Sequence, residues 1–199
     1  GADSMTKIYI DQGHNPEGIN AGAEGFGLRE QDINYAVGIR LRDILQADGR
    51  FEVRVSRPTP ETTLGTGNAT SLAARVNGAN EWGADYFISI HCNASENPAA
   101  NGSEVYVFRD TGAAADLAAA VLAAIVARVG TKDNGVRVNP ALYVLRRTRM
   151  PAILVELAYI TNAADVQKLQ NDQYAFAYAI YEGLCTYLGL SPNVPYAEG

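Results

Sequence analysis

A chain of 199 residues, 47% hydrophobic and 19% charged, is long and apolar enough for one α/β core and too apolar for a disordered segment. Its formal net charge of −6 argues against a nucleic-acid partner, which needs a basic stripe, and against a charge-driven hold on anionic lipid. No run reaches the ~18 unbroken apolar residues of a membrane helix, so no membrane insertion is expected.

The first residues, "GADSMTK", have no apolar segment behind them that would read as a signal peptide. Residues 1–6 are expected to be a tag or leader remnant ahead of a domain spanning 7–189. β-Branched and aromatic residues predict a first strand at 7–11 (KIYID). A helix follows over 30–47, where Ile33, Val37, Leu41, Ile44 and Leu45 share one face. Strand 51–56 comes next, then a helix over 70–82 carrying Leu72, Val76 and Ala79, then strand 85–90 (DYFISI).

Strand 103–108 precedes an Ala-rich helix over 113–129, whose apolar run is bounded by Asp116 and Arg128. Strands are predicted at 142–145 (LYVL) and 152–157 (AILVEL). "TNAADVQKL" then opens a helix with a capping residue and an early acid. A last helix, about 172–188, ends at Gly189 and places Tyr174, Phe176, Tyr178 and Tyr181 in the core. Residues 190–199 read as a tail or linker stump. Strands alternating with helices, and strands apolar nearly throughout, predict a single-domain α/β fold with a mainly parallel sheet of about six strands covered on both faces. Cys92 and Cys185 lack metal or disulfide spacing and read as two unrelated buried thiols.

The chain has two histidines, and both stand where a strand runs out: His14 after "IYIDQG" and His91 after "YFISI". In open α/β sheets ligands bind beyond the carboxyl ends of the strands. Either histidine alone reads equally well as a hydrogen-bonded core or loop residue; their shared location is what argues for a site. Glu30, in "GLREQD", opens the helix after the His14 loop, where an acid also suits the helix dipole. Glu156 interrupts the apolar "PAILVELAYI", where a lone carboxylate is costly to bury. Two imidazoles and one carboxylate form the ligand set of a catalytic zinc ion, with the fourth position left for water. A second carboxylate can take that water's proton, so the residues read as a zinc hydrolase of an acyl or amide bond. Scattered ligands make this a weak signal by spacing alone.

Four blocks, in the same order over roughly 7–189, resemble the zinc-dependent N-acetylmuramoyl-L-alanine amidases called Amidase_3. "IYIDQGHN" resembles the family's IDPGHGG opening, and "GLREQDINYAVGIRLRDIL" its first helix. "VRVSRPTPETTLGTGNATSLAARVNGANEWGADYFISIHCNA" and "YVLRRTRMPAILVELAYITNAADVQKL" resemble the family's central and closing blocks. The resemblance implies a twisted central sheet. It assigns His14, Glu30 and His91 as ligands of one Zn2+ ion and Glu156 as the catalytic carboxylate. It also implies hydrolysis of the amide joining the lactyl group of N-acetylmuramic acid to L-alanine, the first residue of the peptidoglycan stem peptide. Two rival readings are a zinc peptidase cutting a stem-peptide bond and a non-catalytic peptidoglycan-binding domain, the latter at odds with a complete residue set.

Gln12 stands where the family usually has Pro and Asn15 where it has Gly, which predicts a differently shaped first ligand loop. The stretch 15–26 is expected to line the substrate cleft. Only 64 residues separate His91 from Glu156, too few for an autoinhibitory insertion, so an unblocked site is expected. Asp11 is a candidate to orient a ligand imidazole. Cys92 reads as a packed thiol, since neighbours on a strand face opposite ways. Asn93 is a candidate substrate contact or, more readily, the residue shaping the turn after its strand. Arg146, in "LRRTRM", is a candidate for a stem-peptide carboxylate or part of a solvated face. A monomer is expected, and the family implies action on peptidoglycan in the cell wall or outside the cell. An acidic chain has no charge-based hold on an anionic wall, so a separate wall-binding module or activator is expected.

Overall fold

In the computed structural model, residues 4–197 are described. The ends of the expected leader remnant and tail, residues 1–3 and 198–199, lie outside them. Strand β1 (Thr6–Gln12) leads through a loop to a hairpin, β2 (Glu24–Gly25) and β3 (Leu28–Arg29). Next come α1 (Glu30–Asp48), β4 (Phe51–Val55), α2 (Asn68–Trp82) and β5 (Tyr86–Asn93). Then follow β6 (Ser103–Val107), α3 (Ala113–Val129), β7 (Asp133–Val138) and α4 (Tyr143–Arg146). The chain closes with β8 (Ala152–Tyr159), α5 (Ala163–Asn171) and α6 (Gln173–Leu188).

Six strands form one sheet in the order β4-β1-β5-β8-β6-β7. All pairings are parallel except that of β6 with β8, so β6 and β7 run opposite to the other four strands. Side chains alternate across the sheet, and the alternation decides what each face packs against. Ile8, Ile10, Ile88, Ile90, Ile153 and Val155 join α1, α3, α5 and α6 in the larger core. Tyr9, Phe87, Ala152 and Leu154 face the other way, onto Val76 and Ala79 of α2 and Val144 and Leu145 of α4. This second layer is small, and it leaves the carboxyl ends of β1, β5 and β8 partly uncovered. That gap is where the site forms.

Local chemistry sets the element ends. Helix α1 stops at Gly49, which takes the left-handed conformation (φ 86) that only glycine adopts without strain. Helix α5 starts at Asn162, whose side-chain oxygen accepts the N–H groups of Ala164 and Asp165.

Two strand expectations need correction. Residues 142–145 form a single helical turn: Leu145 and Arg146 both donate to the carbonyl of Leu142. A four-residue apolar run does not distinguish the two states, and both edges of β8 are already occupied by β5 and β6. The sixth strand is instead β7, in "DNGVRV", where Asp, Asn and Gly mimic a turn; it is an edge strand with Val138 exposed. The stretch expected as a tail packs back on the domain: Arg50 donates to the Ser191 carbonyl, and Tyr178 to that of Val194. Both cysteines are free and buried, and Phe176, Tyr178 and Tyr181 lie in the core.

Candidate metal centre and active site

His14 lies two residues beyond the end of β1, in the left-handed conformation (φ 69), which is rare outside glycine and accumulates at functional sites. Arg75 holds this turn, donating to the carbonyls of His14 (2.9 Å) and Gln12 (2.6 Å). His91 is a member of β5 and does not follow it, because the strand runs on to Asn93. It shares the α2/α4 face with Phe87 and Ser89. Glu156 is its register partner on β8. Glu30 opens α1, brought beside the histidines by the β2–β3 hairpin.

These groups converge. His14 Nε2 is 3.2 Å from Glu30 Oε1, and His91 Nδ1 is 3.8 Å from Glu30 Oε2. One ligand atom from each of the three residues falls within 4.8 Å of the others. Glu30 is fixed by the N–H groups of Ala23 (2.8 Å) and Cys92 (3.0 Å) and by the amide of Asn34 (3.3 Å). Two glycines make the approach possible. A Cβ on Gly13 would overlap the His91 ring, and one on Gly22 would overlap the Glu30 side chain.

Hydrogen bonding also selects the tautomers. The Nδ1 of His14 faces the carbonyl oxygen of Asn20, an acceptor only, at 3.1 Å, so Nδ1 carries a proton; the neutral ring then leaves its lone pair on Nε2, and the protonated ring donates from Nε2 to Glu30 Oε1 at 3.2 Å. The Ser89 hydroxyl donates its one hydrogen to Asp11 Oδ2 (2.7 Å), so toward His91 Nε2 (3.0 Å) it can only accept. His91 therefore carries its proton on Nε2 and turns a lone pair at Nδ1 toward Glu30. Asp11 thus reaches the His91 imidazole through Ser89, and its other oxygen pairs with Arg75 at 2.8 Å.

Electrostatics follow from burial and neighbours. Burial opposes the charged forms of both His14 and Glu30. Their mutual hydrogen bond outweighs it, raising the His14 pKa and, with the charge of His91, pulling Glu30 down to about 2. His91 is driven down to about 4 by burial and by the charge of His14, so it is neutral at neutral pH and adds its charge beside Glu30 only in acid. Burial, then the charges of Glu30 and Glu104, lifts Glu156 well above the usual carboxylate range. Its Oε2 is enclosed and has no hydrogen-bond partner among the described residues.

The donor set fits zinc. A tetrahedral ion with bonds of ~2.0–2.2 Å separates its ligands by ~3.3–3.6 Å, between the 3.2 and 3.8 Å that part the two imidazole nitrogens from the Glu30 oxygens. Both imidazoles offer a lone pair inward and are held from behind by an oxygen, the usual support for metal-bound histidine. Glu156, the register partner of His91, keeps an unpaired, enclosed oxygen. The two imidazoles retain 22% and 17% exposure, so solvent reaches both.

An α/β domain with a candidate catalytic metal site at the carboxyl ends of its parallel strands is the class this arrangement defines. Residues 8–186 match the family model described as N-acetylmuramoyl-L-alanine amidase, and the chain belongs to that family, Amidase_3. It is 38% identical to the N-acetylmuramoyl-L-alanine amidase LytC of Bacillus subtilis, over 90% of this chain but 35% of that protein. It is 34% identical to the amidase CwlM of Bacillus licheniformis, over 95% of this chain and 71% of that one. Among solved structures, an N-acetylmuramoyl-L-alanine amidase from Clostridium difficile 630 superposes with a TM-score of 0.84 at 31% identity, covering 94% of this chain and 98% of the other. The chain thus spans about a third of LytC and most of CwlM.

Other expected residues fall differently. Cys92 packs on the core face and its thiol lies 3.5 Å from Asn34 Oδ1. Asn93 pairs with Tyr159 where the β5–β8 register shifts, and accepts from Ala94 N–H through its own side chain, a turn-shaping role. Arg146 is exposed at the end of α4, with its guanidinium 5.9 Å from the Tyr143 ring. Not all of 15–26 lines a cleft. Asn15 is fully buried and ties the loop to Leu64 and Arg75, while Asn20 reaches the cavity beside His14. Gln12 is buried too, accepting from Arg57 N–H at 2.7 Å, so the two departures from the family pattern stitch the loop together. Ser89, Asn20 and Asn34 were not singled out from the sequence. Ser89 left a trace as the one polar residue inside "YFISI", two places before His91 and hence on its face.

Proposed function

We propose that this chain hydrolyses the amide between N-acetylmuramic acid and L-alanine in peptidoglycan, with one zinc ion held by His14, Glu30 and His91. The observation that carries this reading is the enclosed, unpartnered Oε2 of Glu156 on the strand beside His91. When bound, zinc supplies an activated water and a positive centre for the scissile carbonyl. Glu156 accepts the proton of the attacking water and returns it to the departing alanine nitrogen, work suited to a carboxyl whose proton affinity is raised by burial. Asn20 and the Ser89–Asp11 pair hold the imidazoles in their tautomers, and Arg75 holds the loop that carries His14. The relatives' names support the bond assignment and a cell-wall or extracellular place of action. The net charge of −6 supports targeting by a wall-binding element or partner outside these residues.

A digest of purified peptidoglycan with and without a chelator tests the proposal. New L-alanine amino termini without new reducing sugars, abolished by the chelator, are expected. Other amino termini would move the reading to a stem-peptide bond, and activity indifferent to the chelator would overturn it.

A further inference from the structure

The row of polar side chains at the metal centre does not stop at Glu156. On β8, Glu156 has His91 of β5 as its register partner on one side and Glu104 of β6 on the other, so the three share one face of three adjacent strands. Like charges directly opposite each other across a strand pair are destabilising, and Glu104 is buried besides. A buried carboxylate needs partners. Glu104 accepts from the hydroxyls of Tyr106 (2.6 Å) and Tyr159 (3.3 Å), and the Nε of Arg137 on β7 lies 3.5 Å away. Stability alone does not account for this cluster, since well-packed apolar residues in such a place are often as stable or more so.

The group that the cluster presents outward is Arg137, whose side chain is half exposed. Its Nε also donates to the carbonyl of Asn134 at 3.2 Å, so the guanidinium is held by its inner edge. Neither terminal amino group has a hydrogen-bond partner among the described residues. The outer edge is thus a free, pre-oriented fork, the shape that grips a carboxylate with two parallel hydrogen bonds. Burial, then Glu104, raises the pKa of both phenols, and the charges of Arg137 and Glu156 act on both as well. The guanidinium and the reacting carboxylate therefore flank the same two hydroxyls.

We infer that Arg137 seats a carboxylate on the peptide half of the substrate, with Glu104 as the residue that positions it. The inference rests on the proposed function. The amino sugar of that substrate carries no charge, whereas the second residue of the stem peptide is joined onward through its side chain and keeps its α-carboxylate free. That carboxylate is five bonds, ~6 Å, from the scissile nitrogen. Neighbouring strands are ~4.8 Å apart, so a peptide leading away from the centre past Glu156 brings it beside Glu104, within reach of the guanidinium.

The test uses the whole zinc-loaded chain and two muramoyl tripeptides that differ only at the second residue, one with a free α-carboxylate and one with a carboxamide there. The wild type is expected to favour the carboxylate by at least ~10-fold in kcat/KM, the scale of a hydrogen bond to a charged group. Arg137→Ala should abolish that preference through KM, with kcat and the carboxamide compound unchanged, the pattern of lost uniform binding. Arg137→Lys keeps the charge without the fork and should fall between. Glu104→Gln should shrink the same ratio, a quantity in which any change to the chemistry or to the zinc site cancels. Equal cleavage of both compounds by the wild type, or an Arg137→Ala variant that slows both alike, would overturn the subsite and leave the amidase reading intact. A ratio unchanged in Glu104→Gln would overturn its positioning role. No peptide released from either compound, with zinc bound, would remove the proposed function and the subsite together.

Discussion

Ser89 stands 3.0 Å from His91 and passes to it the influence of a carboxylate that His91 does not touch, that of Asp11. The hydroxyl fixes which imidazole nitrogen is free to bind. Ser89→Ala should therefore weaken zinc binding by ~10–100-fold with little change in fold, as losing such support does elsewhere. Competition with a chromophoric chelator measures it, and an unchanged affinity would mean that the ring is held by packing alone.

Glu156→Gln should keep zinc and lose at least ~100-fold in kcat, the lower range for a general acid–base group. It should also stabilise the metal-free protein at neutral pH. The folded-state pKa of Glu156 is raised, so its stability contribution is present below the ordinary glutamate value and lost as pH rises through the folded one. Denaturant unfolding of both proteins across pH 4 to 8 should show the gap widening with pH; a constant gap would contradict it.

The buried pair Asp11–Arg75 titrates with the opposite sign. Burial alone would raise the Asp11 pKa, but Arg75 outweighs it and the carboxyl stays below its usual range. The pair's contribution is thus present above the ordinary aspartate value of ~3.9 and lost as pH falls through the lowered one. Asp11→Asn strands a buried guanidinium and should cost ~3–5 kcal/mol at pH 7, with a smaller deficit in acid. Equal deficits at pH 7 and pH 3 would show that the charge is not what matters.

Gly13→Ala tests the close approach at the centre. Its Cβ would overlap the His91 ring, so the ring must move and zinc affinity should fall at least ~10-fold with the fold retained. Zinc stoichiometry by mass spectrometry, together with circular dichroism, separates loss of metal from loss of fold.

Much of this was legible because periodicity reports burial. The strands of His14, His91 and Glu156 are apolar runs, and a histidine or glutamate at the end of such a run stands out against it. Helices α1, α2, α3, α5 and α6 were readable from spacing and caps. What stayed hidden was decided by partners. Strand β7 is an exposed edge with turn-like composition, and its place in the sheet depends on β6. The turn of α4 is helical because β8 has no free edge. Asn20 and Ser89 are ordinary polar residues until the fold sets them behind the two imidazoles.

The central claim, one zinc ion on His14, Glu30 and His91 serving Glu156, is tested most directly by titrating zinc into metal-stripped protein while counting L-alanine amino termini released from purified peptidoglycan. The rate should climb linearly and level off at about one equivalent, the expectation for a single catalytic ion. The His91→Ala variant should stay flat. Release at full rate without zinc, or equal release by His91→Ala, would contradict the account.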